Sequence, residues 1–224
     1  SLATIVKPLR WVKAHGLNSG FGPSAGILSA KDKAELEAMA ATTDLGPLVA
    51  FDAWLEAGEI QRAAMLARGW AEGGPARALR LGRIARLHGR LEQAERSLRA
   101  ASEGGTLIAM TLVERVHVLV SLHRASEALT LLSRFPVLAS THQPWLRALA
   151  LAASGKLHEA RRLVDAQREP DLKRATWPLR RDVVLAMVAV GHPQARSKLH
   201  ELLLKRPHDP DLVEPGKKLG LTVP

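Results

Sequence analysis

Three features of the 224-residue chain have residue types and spacing that could do chemistry: a Gly-Pro-Ser-Ala-Gly run, nine histidines and a row of arginines. Gly22 to Gly26 places Ser24 in a G-x-S-x-G pattern. That pattern makes a nucleophile only where a strand-to-helix turn holds the serine strained and exposed. No strand pattern precedes it, and Pro23 fills its second position, so the run reads as linker. Gly20, Gly22 and Gly26 miss the dinucleotide-binding spacing. His158-Glu159 and His200-Glu201 each begin an H-E-x-x-H pattern, but Arg162 and Leu204 stand where the second imidazole must be. A zinc helix needs both imidazoles on one face, one turn apart. No Gly-Lys-Ser/Thr phosphate loop occurs, no carboxylate pair stands out, and there is no cysteine to supply a thiolate. The expectation is a protein that is not an enzyme and uses no metal and no cofactor.

The arginines suggest binding. At 100° per residue, Ala78, Leu81, Gly82, Ile84, Ala85 and His88 share one helix face. Arg80, Arg83 and Arg86 occupy the opposite half, with Leu79 and Leu87 among them. A merely solvated face seldom interleaves leucines with arginines. Guanidinium forks beside apolar surface suit a peptide that carries carboxylates.

The elements that must position these residues are helices. Ala, Leu and Arg dominate, Tyr is absent, aromatic residues make up 4% of the chain, and apolar residues recur every three and four positions. Five stretches repeat one pattern, a turn residue followed by a small alanine. They carry Gly58 and Ala63, Gly89 and Ala94, His123 and Ala128, Gly155 and Ala160, and Gly191 and Ala195. The alanines lie 31, 34, 32 and 35 residues apart, a period in the range of stacked helix pairs. Gly89 would supply a left-handed turn, and Gly82 with Ala94 would allow two helices to approach closely.

With these residues in place, the chain resembles the tetratricopeptide repeat (TPR) family over about residues 45 to 220. Leu81-Gly82, Gly89, Ala94, Leu98 and Ala101 stand at its hallmark positions, and Pro207 with Asp209-Pro210-Asp211-Leu212 resembles its hand-over between repeats. Phe51 and Trp54 in the first unit and His123 in the third depart from the pattern. The resemblance implies an all-α fold: a right-handed superhelical solenoid of about five helix-turn-helix repeats, with an extra N-terminal helix and a C-terminal capping helix. It also implies that the first helix of each pair lines a concave groove. Aligned that way, Leu79, Arg83, Arg86, Leu87, His117, His142, Trp145 and Arg181 point into the groove and would hold a partner. Trp145 is expected to be partly exposed, and Trp54 and Trp70 to face each other. Members that clamp a C-terminal aspartate use paired lysines and asparagines. Here Asn18 is the single asparagine, and Leu48 and Asp52 occupy the matching first-unit sites, so that subclass is not expected.

The chain divides into a linker or juxtamembrane segment over 1–28, an N-terminal helix over 29–44, the repeat array over 45–208 and a cap over 209–224. Ser29 to Asp32 is a capping-box start. Pro75 and Pro193 suit first helical positions. The longest apolar run, Val183 to Val190, is far short of the ~18 residues that span a bilayer. Lys7, Arg10 and Lys13 lack acidic counterweight and would suit a segment following an upstream anchor. The formal charge of +10 favours an acidic partner. The expected role is a protein-interaction scaffold that binds an acidic or amphipathic segment in a basic, partly apolar groove. The alternatives are a basic surface for nucleic acid or anionic membrane, or the soluble region of a membrane-anchored assembly protein. A cytoplasmic location and a tether upstream of Ser1 are both compatible with the sequence.

Overall fold

Side chains that are apolar on one stripe or all round sort the helices before any contact is considered. The computed structural model describes Pro8, Trp11 and residues 28–42, 45–70, 73–105, 108–135, 141–168, 170–172 and 175–222. Among these the elements are all helical: α1 (Ala30–Ala40), α2 (Gly46–Glu56), α3 (Ile60–Arg68), α4 (Gly74–Leu87), α5 (Leu91–Glu103), α6 (Ile108–Ser121), α7 (Ala125–Arg134), α8 (Gln143–Ala153), α9 (Leu157–Asp165), α10 (Trp177–Val190), α11 (Ala195–Lys205) and α12 (Pro210–Lys218). Helices α5, α7 and α9 bury a single narrow stripe, such as Ala94, Leu98 and Ala101 on α5. Helix α10 buries every residue from Trp177 to Met187, as a helix with neighbours on all sides must.

The packing order follows the same division. Each helix packs on the next in sequence, and α2–α4, α4–α6, α6–α8, α8–α10 and α10–α12 also touch. The even-numbered helices therefore form a continuous inner row, with α3, α5, α7, α9 and α11 packed on it. The chain also returns on itself: Arg206, after α11, donates to the Glu56 carbonyl on α2, and Asp211 on α12 meets Arg86 on α4.

The small residues act as their spacing requires. Gly58, Gly89, His123, Gly155 and Gly191 all have positive φ, so the turn conformation persists in the unit where histidine replaces glycine. At Gly82 the constraint is contact. A Cβ there would lie 2.6 Å from Leu98 Cγ and 3.3 Å from the Ala94 carbonyl oxygen. Replacing Gly82 with valine is expected to lower stability by about 2 kcal/mol through overpacking. Replacing Gly89 with alanine is expected to cost about 1 kcal/mol through its left-handed φ. Urea unfolding in a Leu98→Ala background separates the two causes: the Gly82 penalty should shrink and the Gly89 penalty persist. A Gly82 penalty untouched by the Leu98 truncation would refute the close approach.

The Ser29–Asp32 capping box forms, with Ser29 N–H donating to Asp32 and Asp32 N–H donating to Ser29 Oγ, and it opens α1. Pro75 lies in the first turn of α4, whereas Pro193 sits in the turn before α11. Trp70 meets Phe51, with ring centroids 5.3 Å apart, and Trp54 lies in the same cluster. Within the stretch read as linker, Trp11 and Leu28 are buried in that cluster, which also holds Leu36, Met39 and Phe51. Ser24 and the glycines around it lie outside the described residues.

Candidate functional site: a buried ion-pair lattice on the inner row

Helices α2, α4, α6, α10 and α12, with His142 at the start of α8, bring a set of charged and imidazole side chains together away from solvent. Asp52 and Glu56, four apart, share one face of α2 and meet α4. Arg80 Nε donates to Asp52 Oδ1 at 3.1 Å, and Arg83 Nη2 donates to Glu56 Oε1 at 3.1 Å. One turn further, Arg86 Nε donates to Glu114 Oε2 on α6 at 2.7 Å and Nη1 to Asp211. Arg181 on α10 lies 3.8 Å from Glu114 Oε1 and donates to Asp211 Oδ2 at 3.2 Å. Its Nε and Nη2 both donate to Asp182 Oδ1 at 3.1 Å. Asp182 also accepts from His117 Nε2 at 2.7 Å and His142 Nδ1 at 2.8 Å.

Burial and pairing compete at each carboxylate. Burial pushes Glu114 up, but Arg86, Arg181 and Arg83 outweigh it and hold the group down at about 2. Burial likewise opposes ionisation of Asp182 and Asp211, yet Arg181 with His117, and Arg86 with Arg181, keep both well below the usual carboxylate range. Glu56 goes the other way: burial raises it, and Arg83 and Arg206 offset only part of the rise. Asp209 is also raised, by burial and by Asp211. Burial lowers Arg206 to about 10, and its guanidinium lies 3.8 Å over the Trp177 ring.

A cavity of ≈150 Å³ lies where the end of the chain meets its beginning. Leu55, Ile60, Leu87, Trp177 and Pro207 supply its apolar wall, and Glu56, Arg86, Arg181 and Asp211 its polar one. Glu56 Oε2 is buried without a hydrogen-bond partner among the described residues. Among those residues, no group of three His, Cys, Asp or Glu side chains is placed to hold a metal ion.

Of the residues expected in an open groove, Arg83, Arg86, His117, His142 and Arg181 do converge on the inner row. All five are buried and paired with the chain's own carboxylates. Leu87 is half-buried at the cavity. Leu79 and Trp145 are core residues instead. Leu79 packs with Ala94, Leu98 and Met110. Trp145, 3% exposed where partial exposure was expected, packs with Ala148, Leu151 and Val183 because α8 lies against both α9 and α10. Sequence reasoning missed the acidic half of the lattice: Asp52, Glu56, Glu114, Asp182, Asp209 and Asp211. The available signal was a lone acid inside an apolar helix, as in "MTLVERVHVLV" and "RRDVVLAMVAV". A buried charge in such a run requires a partner.

Compared with known proteins, the chain matches no family model, no curated protein and no solved structure.

Proposed function

We propose that the chain is a non-catalytic interaction scaffold: a right-handed superhelical stack of five TPR-like helix pairs that takes an acidic or amphipathic segment of a protein partner on its inner row. One observation carries this reading. Arg86 and Arg181, from two different helices, jointly receive the carboxylate of Asp211, which arrives on a separate helix start. That arrangement has the chemistry of acidic-peptide recognition, two guanidiniums sharing one carboxylate. The repeated positive-φ turns and the Gly82–Leu98 approach support the stacked pairs.

The lattice also gives the alternative basic-surface reading a specific footing. Arg80, Arg83, Arg86, Arg181 and Arg206 face six carboxylates, so the positive excess of the chain lies elsewhere. Of 32 Lys and Arg and 22 Asp and Glu, the remaining 27 and 16 fall outside the lattice. Fluorescence anisotropy with acidic amphipathic peptides and with length-matched single-stranded oligonucleotides, at several salt concentrations, distinguishes the two. The scaffold reading expects peptide binding that survives physiological salt. Oligonucleotide binding that falls by orders of magnitude between 50 and 200 mM salt, with no peptide bound, would replace it by the nucleic-acid reading.

A further inference from the structure

The contact between the end of the chain and its beginning differs in kind from every other helix contact in the row. On one side, Trp11, Phe51, Trp54, Ile84 and Leu87 belong to the first apolar cluster. On the other, Trp177, Leu199, Leu203 and Leu212 belong to the last. Among the described residues, neither cluster includes one from across the seam. The bonds that span it are polar: Asp211 to Arg86, and Arg206 to the Glu56 carbonyl. Beside them lies the ≈150 Å³ cavity, and Glu56 Oε2 faces this junction with no donor. A void forfeits dispersion contacts, and an unpaired buried oxygen loses the hydrogen bond that water would give it. The seam is therefore bridged by polar contacts and not by a shared apolar cluster.

We infer that this seam is an insertion site for an acidic segment of a protein partner, held shut in cis by Asp211 on the Arg86–Arg181 pair. The inference rests on the scaffold reading and names the place where the partner binds. The cis occupant defines the chemistry that fits. Asp209 caps α12 by accepting from Asp211 N–H at 3.0 Å and accepts from Trp177 Nε1 at 3.2 Å, while Asp211 takes both arginines. A partner with two carboxylates two residues apart at a helix start reproduces that pattern. A backbone or side-chain N–H beside them would satisfy Glu56 Oε2, which the closed form leaves bare.

The probe is a labelled synthetic peptide copying residues 209–219, tested against the unaltered chain and an Asp211→Ala variant. A second peptide carries Asn at both Asp positions. The variant, with its helical circular dichroism retained, is expected to bind the acidic peptide at least tenfold more tightly than the unaltered chain, and neither protein to bind the Asn peptide. In the unaltered chain, saturating acidic peptide should accelerate amide exchange across residues 209–219. The exchange readout decides the matter if the variant does not fold. Equal peptide affinity for both proteins with unchanged exchange would overturn the seam and leave the scaffold reading standing. No acidic peptide bound by either protein would overturn both.

Discussion

Replacing Asp182 with alanine is expected to lower stability by about 3–5 kcal/mol, one of the two largest losses on the inner row. The side chain is 0% exposed and accepts hydrogen from three groups at once: His117, His142 and Arg181. Truncation leaves the buried Arg181 guanidinium short of its nearest anion and takes from both imidazoles the carboxylate they share. Asparagine is a more discriminating replacement. It keeps one carbonyl oxygen but turns an N–H₂ toward a donor, so it too should destabilise. It should cost less than alanine, because either imidazole can switch tautomer and accept. Chemical denaturation of the three proteins at pH 7 checks the order aspartate, asparagine, alanine. Equal stability of all three would mean that Asp182 does not organise the inner row.

These expectations bear on what the arginines are for. Charge reversal at Arg83 and Arg86 reads, on the sequence alone, as a surface change that would spare helicity. In the folded chain it would bring new carboxylates against Glu56 and Glu114, so it reports on folding before it reports on binding. A buried ion pair is weak support for stability and costly to break. Its geometry is suited to fixing register. Apolar stripes of alanine and leucine, such as those of α5 and α9, fit several partners equally well, whereas Arg80, Arg83 and Arg86 fit one arrangement of Asp52, Glu56, Glu114 and Asp211.

Much of the fold was legible because its signals are local. Gly58, Gly89, Gly155 and Gly191 mark their turns by residue type, and the structure gives each a positive φ. The capping box at Ser29 needs only four residues to be recognised, and Asp209-Pro210 announces α12. The inner-row site was half legible. Helical periodicity put Arg80, Arg83 and Arg86 on a face away from the first apolar stripe. It could not show that Asp211, 125 residues downstream of Arg86, closes on that face. Trp145 failed for a related reason. Its helix lies against both α9 and α10, so the face that carries it is covered. That cover comes from residues more than thirty positions downstream, such as Val183, which no local pattern around Trp145 reveals.

Glu114 gives the second large effect and the one with a pH signature. It is the acid that touches three arginines, Arg83 at 3.5 Å, Arg86 at 2.7 Å and Arg181 at 3.8 Å, and it is almost fully buried. Glu114→Ala is expected to cost about 3–5 kcal/mol at pH 7, because three guanidiniums then converge on an apolar gap. Glu114→Gln keeps the shape and removes the charge, which isolates the electrostatic part. The sign of its pH dependence follows from the depressed folded value of about 2. A group held down in this way contributes stability that is fully present above its unfolded value, near 4.5, and lost as pH falls toward 2. The gap between the unaltered chain and Glu114→Gln should therefore be wide at pH 6 and close steadily between pH 4.5 and 2. Glu56 is raised by burial, so its ionisation opposes folding, with stability present at low pH and lost as pH rises through its folded value. Glu56→Gln, which still offers Arg83 an acceptor, should cost far less than Glu114→Gln at pH 7, and the gap it opens should not close on acidification. Thermal unfolding of the three proteins from pH 7 to pH 2 measures both trends. Parallel curves for the two glutamine variants would show that the arginines do not converge on Glu114 as the geometry requires.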